Sequence, residues 1–423
     1  MTAGIEIKGW CPGARRPMQS GDGLIVRVRP HSGALSVSAL RELAAAARRF
    51  GNGEIDLTRR ANLQIRGVRA ETLTPLWDLM ASLGVLDDSA ELEAIRNIVI
   101  NPLAGLDPAE LTDMRPVAAA LEALLGSDDA LQALPAKFGF ALDGGGRLPL
   151  RNLAADIRLV ACGSADDPHI AVGLTGPDGV EWLGSTALAD AAPVAAKLAR
   201  TVLQHSPTRR SAMLPPHAIT IVAVELGLDA RETIASGAAS PRLGRLPLAG
   251  DSNAVGLGIP FGRIDSETLE QLTELLASLD VSEVRLSPWR ALYVAAESDS
   301  AAALVADAAR LGLIVDDTDP LMRIDACSGV GCCTSTALAT REHARVLAAA
   351  MVRTGFAGAL HVSGCAKGCA RSASADVVLV GEGDHYNIVR NGTVKNEACD
   401  VIGPADLAAA ADGLFKSREK AHV

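Results

Sequence analysis

Internal duplication is the feature of this 423-residue chain that most limits the folds open to it. The segment EIDLTRRANLQIRG (54–67) parallels EVRLSPWRALYVAA (283–296), and both alternate apolar and polar residues, as a half-buried strand does. A helical pattern precedes each segment, and a further strand pattern precedes each helix. The helices are predicted at 38–53, with Ser38 as the candidate N-cap and Gly51 as the stop, and at 265–280, and the preceding strands at 23–30 and 254–261. The pattern therefore predicts a strand–helix–strand unit that occurs twice.

A second pair of echoes follows in the same order. ADIRLVACG (155–163) resembles ADVVLVGEG (375–383), and each is followed by another strand pattern and then a helix pattern. Chance similarity among alanine-rich segments is the alternative explanation, but it does not account for two echoes in one order. The stretch between the copies is rich in Pro, Gly and Ser and is predicted to be a linker. Two α/β copies related by a pseudo-twofold axis can share a site on that axis.

Composition excludes several classes of protein. Hydrophobic residues make up 48% of the chain, which is typical of a globular protein. The formal net charge of -10 argues against nucleic-acid binding, which requires a basic surface. The first residues lack the apolar core of a signal peptide, and no apolar run is long enough to span a membrane. We therefore expect a cytoplasmic protein, in which clustered cysteines more often bind metal than form disulfides.

Five of the eight cysteines lie in two short segments, CSGVGCCTST (327–336) and SGCAKGCARS (363–372). Cys365 and Cys369 are four residues apart, so a helical turn would place both sulfurs on one face. Two close pairs can supply the four thiolates of a 4Fe–4S cluster. Zinc usually takes pairs with two to four intervening residues, which a five-residue gap fits less well, and buried inert thiols are a further alternative. The spacing does not separate Cys332 from Cys333 as a ligand.

The order C-x5-C and then C-x3-C resembles the cluster motif of the nitrite and sulfite reductases, which are also internally duplicated. The resemblance covers nearly the whole chain. It implies an α/β (α+β) fold with ferredoxin-like half-domains and two larger α/β domains around a pseudo-twofold axis. It also implies Cys327, Cys333, Cys365 and Cys369 as cluster ligands, with Cys333 chosen because it gives the five-residue gap. The predicted segments are an arm and first half-domain (1–90), a first α/β domain (91–205), a linker (206–252), a second half-domain (253–315) and a cluster-bearing domain (316–423).

The same family binds a tetrapyrrole rich in carboxylates, and uses Arg and Lys to hold it and the substrate. On this resemblance, LTRRANLQIRG places Arg60, IRNIVINP places Arg96 and LPAKFGF places Lys137. Arg60 and Lys137 are predicted to be catalytic, and all three, with Arg290 of SPWRAL, to bind substrate. Guanidinium and ammonium groups suit carboxylates. Each of these residues, taken alone, is also compatible with a solvated surface position.

Two departures from the reductases narrow the resemblance. Gly139 stands where the family has a second lysine, and the C-x3-C interior is Ala-Lys-Gly. With CPGARRPMQSGDGLIVRV near the start, these features resemble one branch of the family, the precorrin-3B synthases. That branch implies an oxidoreductase, a monooxygenase that hydroxylates precorrin-3A at C20 with γ-lactone formation in aerobic cobalamin biosynthesis. It also implies a mononuclear non-haem iron beside the 4Fe–4S cluster, with dioxygen as co-substrate.

Other readings of the chain stay open at this point. A siroheme-dependent assimilatory sulfite or nitrite reductase shares the fold and cluster, and a zinc-stabilised binding module is a non-catalytic alternative. No Gly-x-Gly-x-x-Gly opens a helix after a strand, so electrons are expected from NADH through a partner or from a ferredoxin- or flavin-type donor. The eight histidines include no pair at a spacing typical of iron ligands. His361 and Cys11 are each either a ligand or a buried structural residue.

Overall fold

Four five-stranded sheets carry the fold of the computed structural model, which describes residues 11–151, 153–229, 234 and 241–416. The strands are β1 (Met18–Ser20), β2 (Gly23–Val28), β3 (Ala34–Ser36), β4 (Glu54–Leu57), β5 (Leu63–Val68), β6 (Ile98–Ile100), β7 (Phe140–Asp143), β8 (Ile157–Gly163), β9 (Pro168–Gly176), β10 (Gly179–Ala187), β11 (Gly244–Pro247), β12 (Ser252–Gly258), β13 (Arg263–Asp265), β14 (Glu283–Leu286), β15 (Ala291–Glu297), β16 (Ile324–Ala326), β17 (Leu360–Ser363), β18 (Ala375–Glu382), β19 (His385–Gly392) and β20 (Asp400–Ile402). The helices are α1 (Val37–Phe50), α2 (Leu73–Ser82), α3 (Ala90–Ile95), α4 (Arg115–Ser127), α5 (Ala191–His205), α6 (Pro216–Glu225), α7 (Ser266–Ser278), α8 (Ser298–Arg310), α9 (Thr340–Thr354) and α10 (Leu407–Phe415).

The two smaller sheets exchange a strand with each other. Sheet A has the order β1-β2-β5-β4-β13, and sheet B has the order β11-β12-β15-β14-β3. Strand β13 thus pairs antiparallel with β4 of the other copy, and β3 pairs antiparallel with β14. Helices α1 and α7 pack against each other, and one hydrophobic core includes side chains from both sheets. Neither half-domain is therefore complete without the other.

The two larger sheets have one topology, as the duplication predicts. Sheet C runs β10-β9-β8-β7-β6 and sheet D runs β16-β17-β18-β19-β20. In each, the first three strands in chain order are parallel and the last two are antiparallel additions. The echo at 155–163 and 375–383 becomes the middle strands β8 and β18. Because β16 and β17 are parallel neighbours, the loops that follow them leave from the same edge of sheet D.

The stretches 54–67 and 283–296 are each two strands rather than the predicted single strand. A tight turn interrupts each one, at Ala61 and at Arg290, which have positive φ of 51° and 60°. In the first turn, the Thr58 backbone N–H donates to the Asn62 carbonyl at 2.9 Å, and the Ala61 N–H donates to the Thr58 carbonyl at 3.1 Å. Alternation of apolar residues continues through the turn, so the sequence pattern does not reveal it.

Helix starts also differ from expectation. Helix α1 begins at Val37, and Ser36 is the N-cap, accepting a hydrogen bond from the Ala39 N–H, so the predicted cap at Ser38 is wrong. The helix stops at Gly51, as predicted. Among the described helices, none has the length and apolar character needed to cross a membrane. The five segment boundaries drawn from the sequence stay a prediction, and parts of the predicted arm, linker and C-terminal segment (1–10, 230–233, 235–240, 417–423) lie outside the described residues.

Candidate functional site

The two cysteine segments meet at the carboxyl edge of sheet D. Cys327 directly follows β16, and Cys365 follows β17 after Gly364. The Cys327 N–H donates to the Val362 carbonyl at 3.1 Å, and the Gly364 N–H donates to the Cys327 sulfur at 3.2 Å. The parallel pairing of the two strands thus brings the start of one segment against the start of the other.

The thiol of Cys369 lies within electrostatic range of the thiols of Cys365, Cys327 and Cys333. Partial burial raises the pKa of this thiol, and the neighbouring thiols of Cys365, Cys327 and Cys333 raise it further. The segment between Cys365 and Cys369 is a set of turns, with Gly368 at a φ of 62°, so the helical turn that their spacing would allow does not form. A residue in the left-handed backbone conformation interrupts a helix and reverses the direction of the chain.

The donor set fits an iron–sulfur cluster better than a single metal ion. Within the described ranges, no three His, Cys, Asp or Glu side chains are arranged to hold one metal ion. A 4Fe–4S cluster takes one thiolate at each of four iron corners, so its ligands stand apart and need not converge on a point. A cationic metal centre stabilises the thiolate form of the cysteines that bind it.

A buried polar face lies on the outward side of β2 and β5 in sheet A. We call it the arginine face and define it by Arg27, Arg29, Gln64 and Arg66. Alternate residues of both strands enter the hydrophobic core, which directs these four away from it. Arg27 is 7% exposed and Arg29 is 3% exposed. Sequence reasoning treated 23–30 as a strand only and missed these arginines as site residues.

Two of these guanidinium groups keep unused donors. The Gln64 side-chain oxygen, in its hydrogen-bonding orientation, accepts from Arg27 Nε at 3.2 Å and Nη2 at 2.7 Å. Among the described residues, no partner accepts from Arg27 Nη1 or from Arg29 Nε. Burial, together with the charge of Arg27, lowers the pKa of Arg29 to about 10. Buried cations with unused donors are costly, and bound carboxylates would offset that cost.

Arg60 and Lys137 lie together at one border of this face. Arg60 donates from Nη2 to the Lys137 carbonyl at 3.2 Å and from Nη1 to the Ala136 carbonyl at 3.3 Å. Burial lowers the pKa of Arg60, while the nearby thiol of Cys11 acts in the opposite direction. Lys137 is exposed. The structure therefore brings these two predicted residues together, and their catalytic roles stay a prediction.

All three guanidinium nitrogens of Arg96 donate hydrogen bonds to acceptors within the protein. It is 5% exposed, and its Nε and Nη2 donate to the two oxygens of Asp87 at 2.7 and 3.0 Å. Its Nη1 donates to Glu122 at 3.3 Å, and its Nη2 also donates to the Arg29 carbonyl at 2.7 Å. Burial opposes the charge, but the pairing with Asp87 outweighs it and raises the pKa of Arg96. This geometry favours a role in positioning Arg29 over the predicted direct contact with substrate, because every nitrogen already has an acceptor.

Arg290 contacts Asp325, a carboxylate that gathers three arginines. Arg290 Nη1 lies 3.5 Å from Asp325 Oδ1, Arg371 Nη1 donates to Oδ2 at 3.0 Å, and Arg59 pairs with the same side chain. Burial favours the neutral acid, yet Arg290 and Arg59 hold the pKa of Asp325 below its usual value. Because Asp325 lies two residues before Cys327, this cluster ties the turns of both copies to the cysteine segments. Sequence reasoning missed Arg59, Arg371 and Asp325.

His361 and Cys11 occupy different surroundings. His361 is fully buried, and neither ring nitrogen has a hydrogen-bond partner among the described residues. Burial lowers its pKa to about 4, so the ring is neutral at pH 7. The Cys11 thiol lies beside Arg27 and Arg60 at the arginine face.

Two family models match the first copy. The nitrite/sulfite reductase ferredoxin-like half domain matches residues 16–83, and the nitrite and sulphite reductase 4Fe-4S domain matches residues 91–214. The second match covers sheet C and contains Cys162 as its one cysteine, whereas the cysteine pairs lie in sheet D of the second copy.

Curated proteins and a solved structure extend the likeness over the whole chain. The precorrin-3B synthase of Sinorhizobium sp is 32% identical over 92% of this chain and 84% of that protein. The ferredoxin–nitrite reductase of Synechococcus elongatus is 26% identical over 86% of this chain and 77% of that protein. The structure of the Mycobacterium tuberculosis NirA protein superposes with a TM-score of 0.74 at 20% identity, covering 95% of this chain and 82% of that chain, which supports the fold. The chain belongs to the nitrite and sulfite reductase family.

Proposed function

We propose that this protein hydroxylates precorrin-3A at C20, with dioxygen as oxidant, and that a ring acetate then closes a γ-lactone. The name of the Sinorhizobium relative supports this activity, and so do the two departures from the reductases at Gly139 and in the C-x3-C segment. The observation that carries the proposal is the arginine face, where two buried guanidinium donors have no acceptor among the described residues. Arg66 of the same face is linked through Ser20 to the first cysteine segment.

The protein's own groups bind and orient the macrocycle. Arg27 Nη1 and Arg29 Nε are available to the carboxylates of a polyacidic ring, and Arg60 and Lys137 border the same face. Guanidinium groups bind carboxylates in a fixed geometry, so several such contacts fix which meso carbon faces the oxidant. The burial of these arginines also keeps water away from the bound carboxylates, which strengthens each contact.

The reaction needs electrons from outside the chain. Hydroxylation with dioxygen places one oxygen atom on the macrocycle and reduces the other to water, which consumes two electrons and two protons. Cys327, Cys333, Cys365 and Cys369 would hold a 4Fe–4S cluster, which when bound supplies electron transfer. The proposed donor is NADH through a partner protein, or a ferredoxin- or flavin-type protein. A mononuclear non-haem iron is proposed as a second metal.

Gly139 supports a reactant larger than sulfite or nitrite. Its φ is not among the positive ones, and a Cβ there would lie 3.6 Å from the nearest atom, the Asn97 carbonyl oxygen. Neither backbone conformation nor space requires glycine at this position. The protein therefore lacks, near Lys137, the second cation that the reductases of the family carry, which argues against reduction of a small oxyanion.

The test supplies precorrin-3A, a reductant and 18O2 to protein purified without air. We expect a product that carries one labelled oxygen from dioxygen, and no product when oxygen is withheld. A product that forms at the same rate without oxygen, or that gains no label, would contradict the hydroxylase.

A siroheme-dependent nitrite or sulfite reductase is the second candidate, favoured by the likeness to the Synechococcus elongatus nitrite reductase over 86% of the chain. The absorption spectrum of the purified protein separates the two. Siroheme gives sharp tetrapyrrole bands, whereas a cluster alone gives broad sulfur-to-iron absorption. Metal analysis of the same sample tests the remaining alternatives, since zinc without iron and sulfide indicates a binding module, and iron beyond four atoms per chain supports the mononuclear site.

A further inference from the structure

Cys332 stands next to Cys333 in the sequence, but its sulfur has a partner of its own. Arg263 donates from Nη1 to the Cys332 sulfur at 3.1 Å. The carbonyl oxygen of Cys332 accepts a hydrogen bond from Ser20 Oγ at 3.0 Å. The Cys333 sulfur instead accepts from the Ser335 N–H at 3.4 Å. The two adjacent sulfurs therefore have different surroundings.

The contacts of Cys332 close into a ring of five residues. Arg263 donates from Nε and Nη2 to the two oxygens of Asp56 at 2.7 and 2.9 Å. Asp56 accepts from Arg66 Nη1 at 3.1 Å, and Arg66 Nη2 donates to Ser20 Oγ at 3.2 Å. Ser20 completes the ring at the Cys332 carbonyl. The residue is thus held at both its sulfur and its backbone oxygen.

The ring is rigid because its charged members are buried and paired. The side chains of Arg66 and Arg263 are 4% and 12% exposed. Burial opposes the charge of Arg263, but the bidentate pairing with Asp56 outweighs it and raises the pKa, so this group remains a cation. Charge-assisted hydrogen bonds in such surroundings are among the stronger ones in proteins.

The ring also joins parts of the chain that are far apart in sequence. Ser20, Asp56 and Arg66 belong to sheet A of the first copy, and Arg263 lies on β13, the strand that the second copy lends to that sheet. The same guanidinium group reaches Ser328 Oγ at 3.4 Å, inside the cysteine segment. Residues of sheet A therefore hold the segment between Cys327 and Cys333 by hydrogen bonds.

We infer that Cys332 is not a cluster ligand but the anchor of the C-x5-C loop, and that Arg263 is the positioning residue that holds it. The inference rests on the proposed function in one respect, since it takes the four other thiols as ligands. Holding the Cys332 sulfur on Arg263 keeps it out of the metal site and leaves Cys333 as the second ligand from this loop. It also lowers the freedom of the loop before metal binds.

The test compares Cys332→Ala with Cys333→Ala in protein purified without air. Cys333→Ala should lose most of its iron and acid-labile sulfide. Cys332→Ala should keep about four irons per chain, but release them to a ferrous chelator about tenfold faster, the effect of losing one charge-assisted hydrogen bond. Cys399→Ala, which removes an exposed thiol on the far edge of sheet D, is the matched control and should behave as wild type.

Arg263 variants test the other side of the contact. Arg263→Gln should speed iron release as Cys332→Ala does, the double variant should be no faster than either single one, and Arg263→Lys should recover part of the loss. The electron paramagnetic resonance signal of the reduced cluster should shift in the same variants. Should Arg263→Gln fail to fold, Cys332→Ala alone decides the question.

Three results are distinguishable. Iron loss in Cys332→Ala together with iron retention in Cys333→Ala would make Cys332 the ligand and overturn the inference. Wild-type release rates in Cys332→Ala would also overturn it, because the anchor would then have no effect. Wild-type protein without iron and sulfide would instead overturn the proposed function, and the inference with it.

Discussion

Sheets A and B present corresponding outward faces, but buried polar side chains line the face of sheet A, whereas the face of sheet B is covered mostly by apolar side chains, with the buried Arg285 as an exception. In sheet A, Arg27 and Gln64 are opposite each other across β2 and β5. In sheet B the corresponding pair is Gly256 and Tyr293, across β12 and β15. A Cβ at Gly256 would lie 2.1 Å from the Arg242 carbonyl oxygen, so only glycine allows that segment to approach.

Apolar side chains complete the closure of sheet B. Tyr293 belongs to a buried cluster with Leu103 and Leu148, which follow β6 and β7. These are the strand ends that correspond to β16 and β17, where the cysteine segments begin. Core residues thus occupy one copy of this region, while the other copy carries the arginines and thiols. On the proposed function, we expect the second copy to bind the polyanion and the metal cluster.

The largest effect is expected at the thiol edge. Cys369→Ser should remove or degrade the cluster, because a hydroxyl is a poorer ligand than a thiolate for iron at neutral pH. Iron and acid-labile sulfide per chain measure this, with Cys162→Ser in the first copy as the control. Unchanged iron and sulfide in Cys369→Ser would contradict the placement of the cluster at the carboxyl edge of sheet D rather than at the corresponding edge of sheet C.

Tyr293→Ala tests the closed face. The ring is 1% exposed and fills a packed cluster, so its loss should lower the free energy of unfolding by about 3–5 kcal/mol. Denaturant titration measures the change. Iron content per folded chain should stay at the wild-type level, and a variant that folds normally but loses its iron would show that sheet B is part of the metal site after all.

Arg27→Met tests the charged face, where we expect the reverse of Tyr293→Ala: a loss of substrate affinity with little loss of stability. The affinity for precorrin-3A should fall about tenfold or more, since a charge-assisted contact is lost. The free energy of unfolding should fall by no more than about 1 kcal/mol, because the contacts to Gln64 are lost but a buried cation is removed with them. Binding followed by absorption titration, beside denaturant unfolding, separates the two. A large loss of stability with unchanged affinity would mean that the face is structural.

The smallest effect is a pH dependence in the loop that follows β6. Burial, with the nearby charges of Asp113, Asp107 and Asp143, raises the pKa of Glu110 to about 7, while its backbone contact to Gly105 opposes the shift. The folded state therefore binds this proton more tightly than the unfolded state, and stability from this group is lost as pH rises from about 4.5 to about 7. Glu110→Gln should remove that loss, worth about 1 kcal/mol after allowance for partial exposure. Unfolding curves at pH 5 and pH 8 measure it, and parallel pH profiles for both proteins would contradict the assignment.

Local patterns predicted much of this architecture. The duplication, the two cysteine pairs and the strand echoes are all visible within short windows of sequence, and the structure repeats them. The strand exchange is not visible, because the pairing of β3 with β14 depends on contacts more than two hundred residues apart. The roles of Arg96 and Asp325 were hidden for the same reason. A basic residue in a motif does not reveal whether a buried carboxylate such as Asp87 already occupies it.

The exchange of β3 and β13 has a consequence for the origin and assembly of the protein. A single-copy ancestor would have lacked the fifth strand of its smaller sheet, and two such molecules could each have supplied it to the other. The present chain then corresponds to a fused homodimer, whose halves were free to diverge once one gene encoded both. Separately expressed halves, divided within 206–252, should accordingly remain incomplete alone and associate on mixing, which analytical ultracentrifugation would detect.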